Sequence, residues 1–104
     1  MERQEEIDYL VQTIADFIAI SADNSKKARE LQTISFELQK TSDYTRFGIE
    51  KQRIKEDKQR IKAWIEFLAE NTAFLMKMIL NMQERLEHIN RIDRHKSTSG
   101  EPNE

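Results

Sequence analysis

The sequence IEFLAENTAFLMKMILNMQERLEHI, residues 65–89, decides the fold because it combines an apolar composition with a regular repeat. From Ile61 onward, apolar residues, with Thr72 as the one exception, follow one another at alternating steps of four and three. This spacing is a heptad repeat that is held for four repeats. This seam consists of Ile61, Ile65, Leu68, Thr72, Leu75, Ile79, Met82, Leu86 and Ile89. The spacing predicts a helix that packs along this stripe.

The same block is apolar on more than one face, although a two-stranded coil would need only the seam. Further apolar residues lie off the seam, namely Trp64, Phe67, Ala69, Ala73, Phe74, Met76, Met78 and Leu80. A helix of this kind needs neighbours on two or three sides, as in a bundle. Thr72 interrupts the seam; it either sets the register of a helix pair or bonds back to its own helix.

A membrane span is not expected in this block. About 20 mostly apolar residues with few charges are needed to cross a bilayer, but residues 64–82 include Glu66, Glu70 and Lys77. Such charges cost several kcal/mol at membrane depth. Attachment to a membrane surface would need basic residues on the polar face of the helix, where this block has mainly Glu.

The composition is typical of long helices. The chain has 104 residues, of which 38% are hydrophobic and 35% charged, with two Gly and one Pro. An abundance of Glu, Lys, Arg, Gln, Ile and Leu with few helix breakers predicts an all-α class. Cysteine is absent, which excludes disulfides and thiolate metal sites. The first ten residues start no apolar run, so we expect no signal peptide and a cytoplasmic location.

A chain reversal near residues 45–48 would bring the two apolar blocks together. The N-terminal block, residues 7–20, has a helical stripe of Ile7, Leu10 or Val11, Ile14, and Phe17 or Ile18. After such a reversal, residue i lies beside roughly 90 − i to 96 − i, so that this block faces about 70–89 and the acidic start meets Arg85, Arg91 and Arg94. Between the blocks, Ala28, Leu31, Ile34 and Leu38 form only a thin seam.

The predicted organisation is a single helical domain over residues 1–96, followed by a disordered tail at 97–104. One helix covers about 4–44, a turn about 42–48 and a second helix about 49–95. The segment SADNS, residues 21–25, is a further place where the first helix could kink. Gly48 is a natural residue just beyond a helix C-terminus.

The predicted fold class is therefore all-α, a long antiparallel helical hairpin or coiled coil that assembles into a four-helix bundle. One hairpin would leave apolar surface exposed, which on a soluble chain usually marks an interface. Two hairpins pairing about a twofold axis are the simplest closure, so we expect a homo-oligomer, with a dimer favoured. The residues expected in the core or oligomer seam are Ile61, Ile65, Leu68, Leu75, Ile79, Met82, Leu86 and Ile89, packed against Ile7, Ile14 and Phe17.

These features predict a non-enzymatic oligomerisation or protein-interaction module, a scaffold or adaptor with an unknown protein partner. Glu66 and Glu70 lie one helical turn apart, but no nucleophile or phosphate-binding glycines accompany them. We therefore expect no catalytic residues and no cofactor. His88 and His95 lie seven residues apart, whereas a helical zinc pair has a spacing of four, so no metal site is expected.

The alternative is a nucleic-acid-binding accessory protein that uses the basic stretch 46–62. This stretch contains seven bases, which are Arg46, Lys51, Arg53, Lys55, Lys58, Arg60 and Lys62. Arrays of Lys and Arg bind phosphate backbones. However, the bases spread around the helix, and no aromatic residues interleave for base stacking between Lys51 and Lys62. A solvated helix face is the favoured interpretation.

The segments QRIKEDKQRIKAWIEFLAENTAFL, residues 52–75, and MQERLEHINRIDR, residues 82–94, have the heptad composition of a known group. They resemble the heptad-rich segments of short uncharacterised coiled-coil proteins of cyanobacteria. The resemblance implies an accessory helical protein without an established activity, and it assigns no functional residue.

Overall fold

The structure, a computed structural model, describes the backbone of residues 3–99 and the side chains of residues 3–94. It contains two helices, α1 (Arg3–Tyr44) and α2 (Gly48–Ser99), and the described residues contain no strand. The chain reverses in the three residues between them, so the all-α helical hairpin predicted from the sequence is confirmed. Residues 97–99 of the predicted tail belong to α2, and residues 100–104 lie outside the described part of the chain.

The connection ends α1 and starts α2 with local hydrogen bonds. The Thr45 hydroxyl donates to the Thr41 carbonyl at 2.7 Å, and the Thr45 amide donates to the Ser42 carbonyl at 3.2 Å. The Lys51 amide donates to the Phe47 carbonyl at 3.1 Å, which makes Phe47 the residue that caps the N-terminus of α2. Gly48 is thus the first residue of α2, whereas the sequence pattern had placed it just beyond α1.

The segment 21–25 does not break α1, which is continuous from Arg3 to Tyr44. Ser21 and Asn24 are buried, and the Asn24 side-chain amide donates to Asn71 and Thr72 of α2. Asp23 and Lys27 form an ion pair at 3.1 Å across one helical turn, which suits an uninterrupted helix.

The hairpin consists of two compact units. The terminal unit comprises the described residues of Met1–Ala19 and Leu75–Glu104, and the turn unit comprises Ile20–Phe74. In each unit a segment of α1 pairs with a segment of α2. The contact between Glu6 and Arg85 shows this pairing in the terminal unit, and the contact between Asn24 and Asn71 shows it in the turn unit. Each unit has its own seam.

The terminal unit contains most of the buried apolar side chains. Leu10 of α1 and Leu75, Ile79 and Ile89 of α2 are buried. The half-buried residues of this seam are Ile7, Ile14, Phe17, Met82 and Leu86, while Val11 and Ile18 are exposed. The buried residues follow the heptad spacing, so burial and sequence pattern agree here.

The seam of the turn unit is much more polar on the α1 side. Its buried or half-buried α1 residues are Ser21, Asn24, Ala28, Leu31, Ser35, Leu38 and Ser42, which continue the heptad steps of the N-terminal block. Ile34, predicted in this seam, is instead 48% exposed, because the unbroken heptad places Ser35 inside. On α2, Ile54 and Leu68 are buried. Steps of seven back from Ile61 reach Ile54 and then Phe47, but Phe47 is 71% exposed because it lies in the connection.

Candidate interaction surfaces

A polar layer inside the turn unit fixes how α1 and α2 pair. The Asn24 side-chain amide donates to Asn71 Oδ1 at 2.8 Å and to Thr72 Oγ1 at 3.3 Å. Thr72 thus accepts a hydrogen bond from the other helix, which favours the register-setting interpretation of this residue. Ser21 Oγ is also buried and has no hydrogen-bond partner among the described residues.

We expect Asn24→Ala to lower the free energy of unfolding by about 1–3 kcal/mol, since Asn71 and Thr72 would lose their buried donor. Urea unfolding followed by circular dichroism measures the change. Ser25→Ala is the matched control, because Ser25 is the exposed neighbour in the same helix. Equal stability of the two variants would show that the Asn24 hydrogen bonds do not hold the helix pair.

Two long-range ion pairs lie in the terminal unit. Arg85 Nε donates to a Glu6 carboxylate oxygen at 2.6 Å, and Arg3 pairs with Asp93. The acidic start therefore meets Arg85, as the reversal predicted. Arg91 instead pairs with Glu87 of its own helix at 3.7 Å. The hydrogen bond from Arg85 lowers the pKa of Glu6 from 4.5, and burial opposes this only in part.

This ion pair predicts an acid sensitivity. Because the pKa of Glu6 is lower in the folded state, its contribution to stability is present above pH 4.5 and is lost as the pH falls through the folded-state pKa. Glu6→Gln should therefore flatten the decline of the thermal midpoint below pH 4.5. Glu5→Gln, at the exposed neighbouring position, should leave the decline as steep as in the parent. Parallel curves for all three proteins would contradict a role for the Glu6–Arg85 pair.

The predicted core residues divide between the two units. Ile7, Ile14, Phe17, Leu75, Ile79, Met82, Leu86 and Ile89 belong to the terminal unit, and Ile61, Ile65 and Leu68 belong to the turn unit. Of these, four are buried and seven half-buried. The predicted set omitted Ile54, Asn24 and Leu10, although all three lie on heptad steps from residues in it. The heptad spacing was therefore the signal that identifies them.

The turn unit has one basic side with an open groove of about 870 Å³. The groove is lined from α2 by Lys51, Lys55, Lys58 and Lys62. Gln32 and Gln39 of α1 line it from the other helix, together with Ser35 and Ser42, which lie on the seam. Of the seven predicted nucleic-acid contacts, these four lysines therefore lie together.

Arg53 and Arg60 lie away from this groove, and Arg60 pairs with Asp57 at 3.2 Å. Arg46 lies in the connection between the helices and is exposed. All seven bases are exposed except Lys58, which is half-buried. The basic stretch is thus divided into a lysine row in the groove and arginines outside it.

The other side of the turn unit carries exposed aromatic residues. Trp64, Phe67 and Phe74 are 59%, 57% and 59% exposed, and the rings of Trp64 and Phe67 meet edge to face at a centroid distance of 5.9 Å. They border Asn71, which lies three or four residues from Phe74 and Phe67 and binds Asn24. The aromatic face is defined by Trp64, Phe67, Phe74 and the exposed α1 residues Ile20 and Ile34.

Charged rows of opposite sign border the aromatic face. On α1, Asp23, Glu30 and Glu37 recur every seven residues and lie three or four positions from Ile20 or Ile34. On α2, Arg53 and Arg60 continue the seven-residue row that includes Phe67 and Phe74. One side of the turn unit therefore presents an acidic edge on α1, an apolar middle, and a basic edge of two arginines that continues the aromatic row of α2 towards the connection.

No family model, curated protein or solved structure matches the chain. The resemblance to cyanobacterial coiled-coil proteins accordingly stays a prediction. Within residues 3–99, neither helix holds a segment apolar enough to cross a membrane. The same described residues bring together no group of three or more His, Asp or Glu side chains that could hold a metal ion. The fold defines the class of the protein as a two-helix coiled-coil hairpin.

Proposed function

We propose that the chain is a non-enzymatic helical module that dimerises through its aromatic face and acts as a scaffold or adaptor for another protein. The exposure of Trp64, Phe67 and Phe74 carries this proposal. In the described part of the chain only six hydrophobic side chains are buried, whereas fifteen large ones are exposed. Exposed apolar patches of this kind usually mark interaction sites.

The charges beside the aromatic face favour a second copy of the chain as the partner. A twofold axis parallel to the helices would place α1 of one copy over α2 of the other, so that Glu37 of the acidic edge meets the basic edge in two symmetric places. Gln39 contacts Lys58, which puts Glu37 and Arg60 at about the same height along the hairpin. This arrangement opposes Glu37 of each copy to the partner copy's arginine at position 60.

Dimerisation would complete a four-helix bundle in which each helix has two neighbours. Each aromatic face would then be covered by an identical face, since a twofold interface uses the same surface on both copies. The apolar middle supplies most of the stabilisation, at about 25 cal/mol for each Å² of apolar surface buried. The charged edges set the orientation, because exposed ion pairs contribute only about 0–1 kcal/mol each.

The arrangement of the bases in residues 46–62 does not favour nucleic-acid binding as a second function. The seven bases do not form one array, because four lysines line the groove while Arg53 and Arg60 border the aromatic face. None of the described residues that line the groove is aromatic, so these residues offer no stacking platform for bases. The cytoplasmic location and the existence of a scaffolded protein partner stay predictions.

Light scattering on a size-exclusion column tests the proposal over a tenfold range of protein concentration. We expect a dimer with a mass of twice 12.4 kDa, and we expect this dimer to dissociate only at the lowest concentrations. A mass of 12.4 kDa at every concentration would refute self-association and leave the aromatic face to a different protein.

A further inference from the structure

The lysine groove of the turn unit is a consequence of the polar seam. Lys51 and Lys58 occupy α2 positions that continue the seam of Ile65, where an apolar side chain would normally pack. The facing α1 residues include Ser35 and Ser42, whose short side chains leave the space between the helices open. The lysine stems can lie along this space while their ammonium groups stay at its rim.

The positive charge of the groove is not neutralised within the described part of the chain. None of Lys51, Lys55, Lys58 and Lys62 forms an ion pair with the residues that the structure describes, and Lys58 bonds only to the neutral amide oxygen of Gln39. Glu66, at one end, is the one carboxylate among the described lining residues. A chain with a net charge of −2 thus presents four lysines together on one side.

The lysines follow the spacing of a helix surface. They succeed one another at steps of four, three and four residues, which corresponds to a row of about 16 Å at 1.5 Å per residue. We propose that this groove binds an α-helix of a partner protein whose acidic side chains recur at the same alternating spacing over three turns. Carboxylates on such a helix would reach each lysine in turn, as Glu and Lys do across coiled-coil flanks.

Three observations favour a helix over a nucleic-acid strand. The groove lies between two antiparallel helices, so a third helix would pack into it as in a bundle. Glutamines line both rims, including Gln32 and Gln39 on α1 and Gln52 and Gln59 on α2, and their amides can donate to carboxylates or bond to polar side chains. Aromatic residues are absent from the described lining, although single-strand binding usually relies on them.

The proposed contact is independent of dimerisation. The lining residues of the groove and the members of the aromatic face do not overlap. A variant that fails to dimerise should therefore still bind the acidic helix, and a chain that proves monomeric leaves this proposal intact. Dimerisation through the aromatic face and helix binding in the groove can therefore be refuted independently of each other.

Fluorescence anisotropy with a labelled helical peptide tests the groove. The peptide carries Glu at alternating steps of four and three residues, and its comparator has the same number of Glu residues but two interior prolines, so that it forms no helix. We expect the full-length protein to bind the helical peptide at least tenfold more tightly than the comparator. The affinity should fall as salt rises, because exposed charges are screened.

The groove variant combines Lys51→Gln, Lys55→Gln and Lys62→Gln, which leaves the half-buried Lys58 in place. It should weaken binding about tenfold, since each exposed ion pair is worth a factor of about 1.5–5. The matched control combines Lys26→Gln, Lys77→Gln and Arg91→Gln, which removes the same charge from exposed positions outside the groove. This control should bind as the parent does, and circular dichroism should show parent helicity for both.

Three results would overturn the proposal. Equal losses in the two triple variants would indicate non-specific attraction by net charge. Equal affinity for the helical peptide and the proline-containing comparator would exclude recognition of helical spacing. Tighter binding of a single-stranded oligonucleotide of equal charge, lost in the groove variant, would assign the lysines to nucleic acid instead.

Discussion

Leu75→Asp is expected to abolish the folded hairpin. Leu75 is 7% exposed and lies on the seam between α1 and α2 in the terminal unit. Removing a buried leucine alone costs about 2–5 kcal/mol, and a buried carboxylate without a partner adds several kcal/mol more. Because small proteins have about 5–15 kcal/mol of stability in total, the folded state should be lost. Far-UV circular dichroism should show a large loss of helicity at room temperature.

Phe74→Asp is the matched control, since it places the same residue one position away. Phe74 is 59% exposed, so its replacement puts the carboxylate in water. Helicity should therefore remain close to that of the parent. If Leu75→Asp retained the parent spectrum and thermal midpoint as well, the seam would not be the core of the molecule.

Phe67→Asp is expected to halve the solution mass without unfolding the chain. Phe67 lies in the middle of the aromatic face and touches Trp64. The new carboxylate would be buried against α1 of the partner copy, beside the like charges of its acidic edge, which is strongly unfavourable. Light scattering should therefore give 12.4 kDa where the parent gives twice that mass.

Phe36→Asp provides the control for this experiment. Phe36 is 61% exposed and lies three and four residues from Gln39 and Gln32, on the groove side of α1. The variant should keep the mass of the parent. A monomer from both variants, or a dimer from both, would contradict dimerisation through the aromatic face.

A charge exchange tests the orientation of the two copies. Glu37→Arg alone should weaken the dimer because two basic edges would then meet. Adding Arg60→Glu should restore it, since the opposite charges again face one another between copies. No recovery in the double variant would rule out the axis parallel to the helices, even if the aromatic face were buried.

The sequence predicts the hairpin because one turn accounts for two independent patterns. The same reversal pairs the apolar blocks and brings the acidic start to Arg85, and both pairings are present in the structure. If the chain reverses as predicted, the residue numbers of two facing residues add up to between 90 and 96. The observed sum is 91 for Glu6 and Arg85 and 97 for Gln39 and Lys58. Apolar periodicity therefore fixes the partner segments to within a few residues.

The interior of the turn unit was harder to predict because its seam is polar. A search for apolar residues selects Ile34, whereas the heptad carried forward from Ile14 reaches Ser35. Hydrophobicity and register point to different residues there, and register prevails because a helix cannot rotate locally without breaking its hydrogen bonds. The contact between Asn24 and Asn71 needed the register to within one residue, which the sequence pattern does not provide.

The division of the bases follows from the same register. Considered alone, α2 displays seven bases around its circumference. Once the position facing α1 is known, four lysines belong to one side and Arg53 and Arg60 to the other. The pattern that decides the interaction surfaces is therefore the placement of charge relative to the seam, not the local charge density.

The uneven seam also determines how the chain must fold. The contacts nearest in sequence, such as the one between Gln39 and Lys58 at a separation of 19 residues, lie in the unit with the more polar interior. The better-packed contacts join segments about 79 residues apart, as Glu6 and Arg85 are. Closing the longer loop costs about 1 kcal/mol more in chain entropy. Contacts that form first beside the turn therefore stabilise the chain only weakly. We expect the hairpin to fold more slowly than its helical content suggests, because the association of its two ends is the rate-limiting step.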